Sequence, residues 1–270
     1  MSRTIHPTAI VSPKAQLAED VTIGPFAIVD DHVSIGPGTE IKAGTVLTGH
    51  TSIGARNTIG PYAVIGTGPQ DLGFAGEPTR VEIGDDNVLR EYVTVNAAST
   101  KQEWVTRVGS RNFLMAYCHI AHDCEVGSDI VMANYVGISG HCKIEDKAWF
   151  GGMTGLHQFV TVGTHAFIGG GSRIVHDCPP YMITEGSPAK VRGVNSIGLR
   201  RRGFASDVVE ALREAQRLIY RSHLTAAQAV EELAASPQPL LPEVRYLLEF
   251  LRLAHAARQG RAREAFRHRA

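Results

Sequence analysis

An apolar residue, most often a branched aliphatic, recurs at every sixth position through most of the first 174 residues of this chain. The series covers residues 5–65, 83–95 and 108–174, which makes 26 positions in all. An α-helix repeats every 3.6 residues and a strand every two, so neither element by itself explains a period of six. A hexapeptide repeat is typical of a parallel β-helix, in which three hexads complete one triangular coil. The series therefore predicts a column of between eight and nine stacked coils.

Two segments interrupt the repeat and are expected to leave the coil as loops. The first covers residues 67–80 and is rich in glycine and proline, and the second covers residues 97–106. Long loops that project from a rigid scaffold are common places for function. Both excursions are therefore candidate parts of a functional site.

The repeat ends after Ile174, at Pro179 and Pro180, because a proline cannot donate a hydrogen bond to a strand ladder. Beyond residue 203 the apolar period becomes helical: Ser206 and Thr225 are each expected to cap a helix, and Pro242 is expected to start a third. The predicted fold class is an all-β parallel β-helix over residues 1–191 followed by a small α-helical C-terminal domain over residues 192–270. The helical domain is expected to cover the open end of the coil.

The composition is that of a folded protein without a membrane span. Hydrophobic residues make up 43% of the chain and charged residues 20%, and no apolar run approaches the roughly 20 residues that a membrane helix needs. The first 13 residues lack the apolar core of a signal peptide. Four cysteines without a framework-like spacing fit a reducing compartment, so we expect a cytoplasmic protein. Three cysteines precede a core aliphatic by two residues and are expected to be small buried fillers: Cys118, Cys124 and Cys142.

The net charge is zero, but its distribution along the chain is uneven. Residues 192–270 contain 14 arginines and 8 acidic residues, so the C-terminal segment is basic and the first 191 residues are acidic. A basic segment favours an acidic partner. Solvated helix faces without any partner would give the same composition, and charge alone leaves both interpretations open.

Four histidines fall close together when the chain is wound into coils of 18 residues. His122 and His141 are separated by 19 residues, one coil plus one position, while His119 and His157 have neighbouring phases. The repeat therefore predicts that the four imidazoles share one edge of the prism. General acid–base catalysis, with Asp123 orienting the His122 ring, is one interpretation. A zinc site is the second, and surface histidines on a turn are the third.

Several motifs carry a resemblance to a known family, and they extend over nearly the whole chain, from residues 6–11 to residues 218–222. They are HIAHDC at 119–124, QDL at 70–72, AGEPTRVEIGD at 75–85, GGMTGLHQF at 151–159, PPY at 179–181, GVN at 193–195 and LRRRGF at 199–204. In this combination the chain resembles the UDP-N-acetylglucosamine O-acyltransferases that begin lipid A synthesis. The resemblance implies a left-handed coil and a homotrimer with active sites between neighbouring subunits. It also implies an acidic acyl carrier protein as partner, and no nucleic acid.

The resemblance assigns roles to individual residues of the histidine edge. His122 matches a general base that takes the proton from the 3-hydroxyl of the sugar, and Asp123 would orient it. The backbone N–H of Gly140 matches a donor to the oxyanion. No metal, no cofactor and no covalent enzyme intermediate are implied, because the acyl donor is the phosphopantetheine thioester of acyl carrier protein.

Further residues match substrate-binding positions of the family. Gly170 matches a position that limits acyl length, and a glycine there favours a longer chain. The arginines at 200–202 are expected to steer the carrier protein. The remaining matches to sugar-nucleotide or acyl-binding positions are Asp71, Leu72, His119, His141, His157, Gln158, Asn195 and Arg201.

Three positions depart from the family pattern. Gly73 stands where a lysine is frequent, Asn96 where a histidine is frequent, and Ile197 where some members have an acid. These departures concern the residues that would bind the nucleotide and the sugar. The sequence therefore leaves two acceptors open, the 3-hydroxy sugar and a 3-amino sugar, whose acylation would give an amide. A zinc hydratase of hexapeptide fold and a non-catalytic binding solenoid are the alternatives from other classes.

Overall fold

The computed structural model describes residues 3–235, 239–256 and 260. The first half of the repeat forms fourteen short strands: β1 (Thr4–Ile5), β2 (Ile10–Val11), β3 (Gln16–Leu17), β4 (Thr22–Ile23), β5 (Ile28–Val29), β6 (Val33–Ile35), β7 (Glu40–Ile41), β8 (Val46–Leu47), β9 (His50–Ile53), β10 (Thr58–Ile59), β11 (Val64–Thr67), β12 (Arg80–Ile83), β13 (Val88–Leu89) and β14 (Thr94–Asn96). The second half continues with β15 (Val105–Val108), β16 (Phe113–Leu114), β17 (His119–Ile120), β18 (Glu125–Val126), β19 (Val131–Met132), β20 (Gly137–Ile138), β21 (Lys143–Ile144), β22 (Trp149–Phe150), β23 (Gly155–Leu156), β24 (Thr161–Val162), β25 (Phe167–Ile168), β26 (Arg173–Ile174), β27 (Met182–Gly186) and β28 (Ala189–Val194).

Every third strand joins the same sheet, which gives the coil three flat sides. Sheet A has eleven strands in the order β1-β4-β7-β10-β13-β16-β19-β22-β25-β27-β28, sheet B runs from β2 to β26, and sheet C runs from β3 to β24. Most strands within the coil pair in parallel with a register of 18 residues, as between Gly137 and Gly155, while pairs that span an excursion are further apart in sequence, as Thr58 and Val88 are. The fold is the predicted left-handed parallel β-helix followed by a small helical part.

The recurring apolar residues fill the inside of the coil, as predicted. From Ile23 onward they are almost wholly removed from solvent, and each such side chain contributes roughly 1.5–3 kcal/mol through burial. Ile5 is still exposed, because no described coil stacks below it. The predicted filler cysteines are buried free thiols, and burial raises the pKa of Cys118 to about 11. These thiols therefore pack as small core residues.

A buried asparagine ladder, which the repeat did not predict, joins the coils on either side of the two excursions by hydrogen bonds. The Asn87 N–H donates to Asn57 Oδ1 over 2.8 Å, and the Asn112 N–H donates to Asn87 Oδ1 over 2.9 Å. The Asn87 side-chain amide also donates to the Gly109 carbonyl over 2.9 Å. The ladder thus satisfies polar groups inside the coil where neighbouring coils are joined by irregular chain.

We expect Asn87→Ala to lower the free energy of unfolding by about 2–4 kcal/mol, because it leaves several buried partners without hydrogen bonds. Urea denaturation at fixed protein concentration measures the change. The matched control is Asn134→Ala, since Asn134 is exposed. Equal stability of the two variants would contradict a structural role for the ladder.

The chain leaves the coil through an antiparallel hairpin and continues into helices. Strand β27 pairs with β25 and then with β28. Four helices follow: α1 (Ser196–Arg201), α2 (Ser206–Arg221), α3 (Ala226–Ala234) and α4 (Pro242–His255). They pack in a second apolar core around Leu199, Leu212 and Leu247. No helix among the described residues is long and apolar enough to span a bilayer.

The predicted helix starts agree with the structure at two of three places. Thr225 caps α3 with a full capping box, and Pro242 is the first residue of α4. The prediction that Ser206 caps a helix is wrong: α2 begins there, but its N-cap is Ala205, which makes no side-chain hydrogen bond. The predicted domain boundary at 191/192 falls inside β28, and the division into two domains stays a prediction.

Candidate active site

The candidate site lies on the corner of the prism that joins sheet B to sheet C. Each coil turns this corner with the four residues between the two strands, and equivalent residues stack at intervals of 18. The stacked residues at the second position are His122, Gly140 and Gln158, and those at the third position are Asp123, His141 and Phe159. The third position has a positive φ on all three coils, 59°, 64° and 66°. The repeat therefore aims these side chains at one another.

Asp123 is the buried centre of the site, with 4% of its surface exposed. Its Oδ2 accepts hydrogen bonds from His122 Nδ1 at 2.7 Å and from the Ser99 hydroxyl at 2.6 Å. The Asp123 N–H donates to Thr106 Oγ1 over 2.9 Å. Burial would raise the pKa of this carboxyl, but the hydrogen bonds from His122 and Ser99 outweigh burial and lower it. Asp123 is therefore a fixed carboxylate that holds Nδ1 of His122.

Gly140 leaves the space in which the His122 ring lies. A Cβ atom on Gly140 would be 2.6 Å from His122 Cε1 and 2.7 Å from Nε2, closer than real atoms approach. Within the described part of the chain, the Gly140 N–H has no hydrogen-bond acceptor. The imidazole of His122 and the backbone N–H of Gly140 therefore lie next to each other at this corner.

His141 packs behind His122 and is nearly wholly buried. Its ring meets the His122 ring edge-on, with centroids 5.0 Å apart, and stacks on Phe159 at 4.5 Å. Its Nδ1 lies 3.0 Å from Gln102 Oε1 and 3.6 Å from Asp123 Oδ2. The prediction that residues 122 and 141 adjoin across one coil is confirmed by this geometry.

The other two histidines flank the corner. His119 lies on the flat side formed by sheet B, where its Nδ1 is 2.7 Å from Thr94 Oγ1, and burial together with the charge of His122 lowers its pKa. His157 begins the corner one coil beyond His141, next to the half-buried Gln158. The predicted shared edge is therefore correct for three histidines, while His119 lies beside it.

Asp71 and Leu72 lie in the first excursion, which connects β11 to β12. Asp71 Oδ2 forms an ion pair with the Lys101 ammonium, and Asp71 Oδ1 accepts the Gly73 N–H over 2.9 Å. These two contacts, with a further contribution from the charge of His122, lower the pKa of Asp71. Asp71 is thus close enough to His122 to interact with it, whereas the Leu72 side chain is fully exposed.

Three predicted site residues lie away from the histidine corner within one chain. Gly170 lies at the corner between sheets A and B, where a Cβ atom on this residue would lie 3.3 Å from the Gly152 carbonyl oxygen. Asn195 caps α1 at the remaining corner, where its amide donates to the His165 carbonyl over 3.0 Å. Arg201 is exposed in the last turn of α1. A single chain therefore does not bring Asn195 and Arg201 to His122.

The sequence analysis missed the residues of the second excursion, which connects β14 to β15. Four of its side chains contact predicted site residues: Ser99, Lys101, Gln102 and Thr106. The only signal in the sequence was the interruption of the repeat itself. Because the excursion has no period, the winding of the coil could not assign its side chains to partners.

The three departures from the family pattern have different surroundings. Asn96 is buried, and its amide donates to Thr67 Oγ1 over 2.9 Å and to the Gly68 carbonyl, so it anchors the first excursion. Ile197 is exposed on α1. Gly73 adjoins Asp71, with only Asp71 Oδ1 near the place that a Cβ would occupy.

His122, Asp123 and His141 also form a group that could hold a metal ion. Their ligand atoms lie within 4.8 Å of one another, and no other such group occurs in the part of the chain that the structure describes. Both Nδ1 atoms, however, already point at Asp123 Oδ2, and Gln102 holds that of His141. A cation here would have to displace these hydrogen bonds.

Comparison with known proteins agrees with the fold. The bacterial transferase hexapeptide model, which spans six repeats, matches residues 14–49 and 32–67, and the model for domain 2 of UDP-N-acetylglucosamine O-acyltransferase matches residues 177–261. The acyl-[acyl-carrier-protein]–UDP-N-acetylglucosamine O-acyltransferases of Syntrophobacter fumaroxidans and Thiobacillus denitrificans are each 47% identical to this chain, over 92% of it and 96% of their own length.

Solved structures give the same result. The UDP-N-acetylglucosamine O-acyltransferase of Moraxella catarrhalis superposes with a TM-score of 0.87 at 41% identity, over 91% of this chain and 95% of that one. The UDP-N-acetylglucosamine acyltransferase of Bacteroides fragilis gives a TM-score of 0.90 at 39% identity, over 94% and 98%. The fold and the site define a hexapeptide-repeat acyltransferase. The chain belongs to the family of acyl-[acyl-carrier-protein]–UDP-N-acetylglucosamine O-acyltransferases.

Proposed function

We propose that this protein transfers a 3-hydroxyacyl chain from acyl carrier protein to the 3-hydroxyl of UDP-N-acetylglucosamine, the first step of lipid A biosynthesis. The observation that carries the proposal is the His122–Asp123 pair beside the backbone N–H of Gly140. Acyl transfer to a hydroxyl needs a base for the hydroxyl proton and a donor for the developing oxyanion. This corner offers one of each.

His122 acts as the general base in the proposed mechanism. The hydrogen bond to Asp123 assigns the ring proton to Nδ1, so Nε2 carries the lone pair that accepts the proton from the sugar hydroxyl. The sugar oxygen attacks the thioester carbonyl, and the Gly140 N–H donates to the resulting oxyanion. His122 then returns the proton to the departing phosphopantetheine thiolate. Asp123 stays ionised and stabilises the imidazolium throughout.

The substrate-binding residues fit this scheme at different distances from the base. Asp71, His119, His157 and Gln158 surround the corner and are proposed to contact the sugar or the acyl chain. Between this corner and Gly170, sheet B presents Gly137 and Gly155, and a Cβ at either glycine would meet open space. An acyl chain could therefore run along this side, with Gly170 at a position that limits its length.

The homotrimer that the family resemblance implies is supported by the division of the proposed site between two corners. Asn195 and Arg201 lie on α1, near His165, whereas His122 lies on another edge of the prism. A neighbouring subunit that packs its α1 region against the histidine corner would complete the site. We therefore propose cyclic trimers with active sites between subunits.

A transfer assay tests the proposed function. Purified protein is incubated with several 3-hydroxyacyl carrier-protein thioesters and with both the 3-hydroxy and the 3-amino UDP-sugar, and the products are identified by mass spectrometry. The proposal expects an ester at the 3-position of UDP-N-acetylglucosamine. Acylation of the amino sugar alone would favour N-acyl transfer, which Gly73, Asn96 and Ile197 leave open.

We expect transfer to need neither a metal nor a cofactor, with the carrier-bound thioester as the only activated group. Dialysis against a chelator should leave turnover unchanged, and metal analysis should find far less than one zinc per chain. One tightly held zinc per chain, lost together with activity, would instead support a zinc hydratase that uses His122, Asp123 and His141.

Turnover with a carrier-protein donor should fall on the order of tenfold between low and high salt, because salt screens an acidic carrier from the basic α1 segment. That segment contains Arg200, Arg201 and Arg202 near its end. The measurement is kcat/KM at increasing ionic strength. A short pantetheine thioester is the control, since it lacks the acidic protein and should show little change. The same salt dependence for both donors would exclude steering.

We propose a cytoplasmic location because the cysteines form no disulfide in the described structure. The four thiols are free and buried in the described structure, as expected where thiols stay reduced.

A further inference from the structure

The second excursion, residues 97–106, reaches the site through consecutive polar side chains. The Ser99 hydroxyl donates to Asp123 Oδ2, the Lys101 ammonium pairs with Asp71 Oδ2, and Gln102 Oε1 lies 3.0 Å from His141 Nδ1. This one loop therefore contacts both the catalytic pair and the first excursion. Lys101 is the member that joins the two loops.

The ion pair between Lys101 and Asp71 lies at the mouth of the site. The Asp71 side chain is only 15% exposed, whereas that of Lys101 is 52% exposed, so the carboxylate faces inward and the ammonium faces solvent. Among the described residues, Oδ2 accepts from the Lys101 ammonium and Oδ1 accepts from the Gly73 N–H. A carboxylate can accept about four hydrogen bonds, so Asp71 keeps the capacity to accept a hydrogen bond from a sugar hydroxyl.

Asp71 would be poorly held without Lys101. It lies in a loop that contains Gly73 and Gly76. Apart from the ion pair, its carboxylate accepts a local hydrogen bond from the Gly73 N–H. The partner ammonium comes from a residue 30 positions further along the chain, across the gap between the two excursions. The ion pair therefore fixes the carboxylate to the rigid side of the site, where Ser99 and Gln102 are already anchored.

We propose that Lys101 is a positioning residue for the acceptor sugar, which holds the Asp71 carboxylate where it receives a sugar hydroxyl beside Nε2 of His122. The inference rests on the proposed function and adds a residue to it. Lys101 acts through Asp71 and takes no part in the bond changes. The groups that face Asp71 are Lys101 and His122, so removal of the ammonium leaves a carboxylate that is harder to ionise and free to turn.

Gly73 supplies a rescue experiment. Within the described part of the chain, the one atom within 4 Å of a Cβ built there is Asp71 Oδ1, at 3.5 Å, so a longer side chain has room. A lysine at this position could bring an ammonium to Asp71 from its own loop. The double variant Lys101→Met with Gly73→Lys therefore places an ammonium beside Asp71 from the same loop. It does not restore the ion pair that joins the two excursions.

The test compares Lys101→Met, Lys101→Arg and the double variant with wild type, and Lys14→Met is the matched control because Lys14 is an exposed lysine that pairs with an aspartate, Asp31, near the start of the coil. We expect Lys101→Met to raise the acceptor KM about tenfold or more, as for loss of a hydrogen bond to a charged group, with the donor KM unchanged. Because the pKa of Asp71 rises when its cation is lost, the binding of UDP-N-acetylglucosamine to Lys101→Met should be lost at a higher pH than in wild type, which calorimetric titration at falling pH measures. Lys101→Arg and the double variant should both move these values back toward wild type.

An unchanged acceptor KM and an unchanged pH dependence of acceptor binding in Lys101→Met would overturn the proposal. An equal loss for donor and acceptor together with a lower thermal midpoint, without rescue by Gly73→Lys, would also overturn it, since the lysine would then only join the loops. Failure of the proposed function looks different: wild-type protein would form no acylated UDP-sugar at all. In that case calorimetric titration of the variants with UDP-N-acetylglucosamine still decides whether Lys101 supports acceptor binding.

Discussion

His122→Ala should lower kcat by a factor of about 10²–10⁴, the usual contribution of a general base, while the protein stays folded. The ring is partly exposed at the corner and is not part of the apolar core, so its removal empties no core cavity. Asp123 keeps its hydrogen bonds from Ser99 when the ring is gone. The large loss is therefore expected in turnover and not in stability.

The measurement is single-turnover transfer from a 3-hydroxyacyl carrier-protein donor, with the thermal midpoint recorded beside it. His6→Ala is the matched control, since His6 is exposed near the start of the coil. Turnover near the wild-type value in His122→Ala would remove the base from the mechanism. It would also favour the alternative of a solenoid that binds partners without catalysis.

Two inactive variants should restore activity to each other when their subunits are mixed. His122→Ala removes the base from one side of the proposed interface, and Arg201→Ala removes the arginine that α1 would supply from the other side. In a cyclic trimer that contains both chains, one of the three interfaces combines an intact His122 with an intact Arg201 from the neighbour. We therefore expect about a third of wild-type activity from two chains that are each nearly inactive alone.

The experiment uses equal amounts of two differently tagged chains, produced together and purified through both tags. The control mixes His122→Ala with Asp123→Ala, because these lesions lie on the same side of the interface and no combination repairs them. Recovery in the first mixture alone supports a shared site. Mixed trimers that form, as shown by mass, but recover no activity would place the whole site within one chain.

The regular winding explains which parts of the site could be predicted. His122 and His141 adjoin because a separation of 19 residues is one coil plus one position, and this holds whatever the side chains are. The winding likewise stacks Gly140 over His122, although its importance as a space for the ring becomes clear only from the distances. Prediction succeeded where position in the repeat determines position in space.

The rest of the site depends on chain that leaves the repeat. Ser99, Lys101 and Gln102 contact the site from an excursion whose path has no period, so their partners could not be derived. The short helix α1 also escaped notice, because six residues contain less than two turns of apolar pattern. Ser206 was misjudged as a cap for a related reason: helix boundaries depend on local backbone angles that a periodic pattern does not define.

A crystal structure of the protein with UDP-N-acetylglucosamine bound would give the distance from the sugar 3-oxygen to the imidazole, on which the proposed mechanism depends. We predict that this oxygen lies within about 2.6–3.2 Å of His122 Nε2, the reach of a general base. A bound sugar whose 3-oxygen lies outside that reach, with no bridging water and with another side chain as its nearest base, would contradict it.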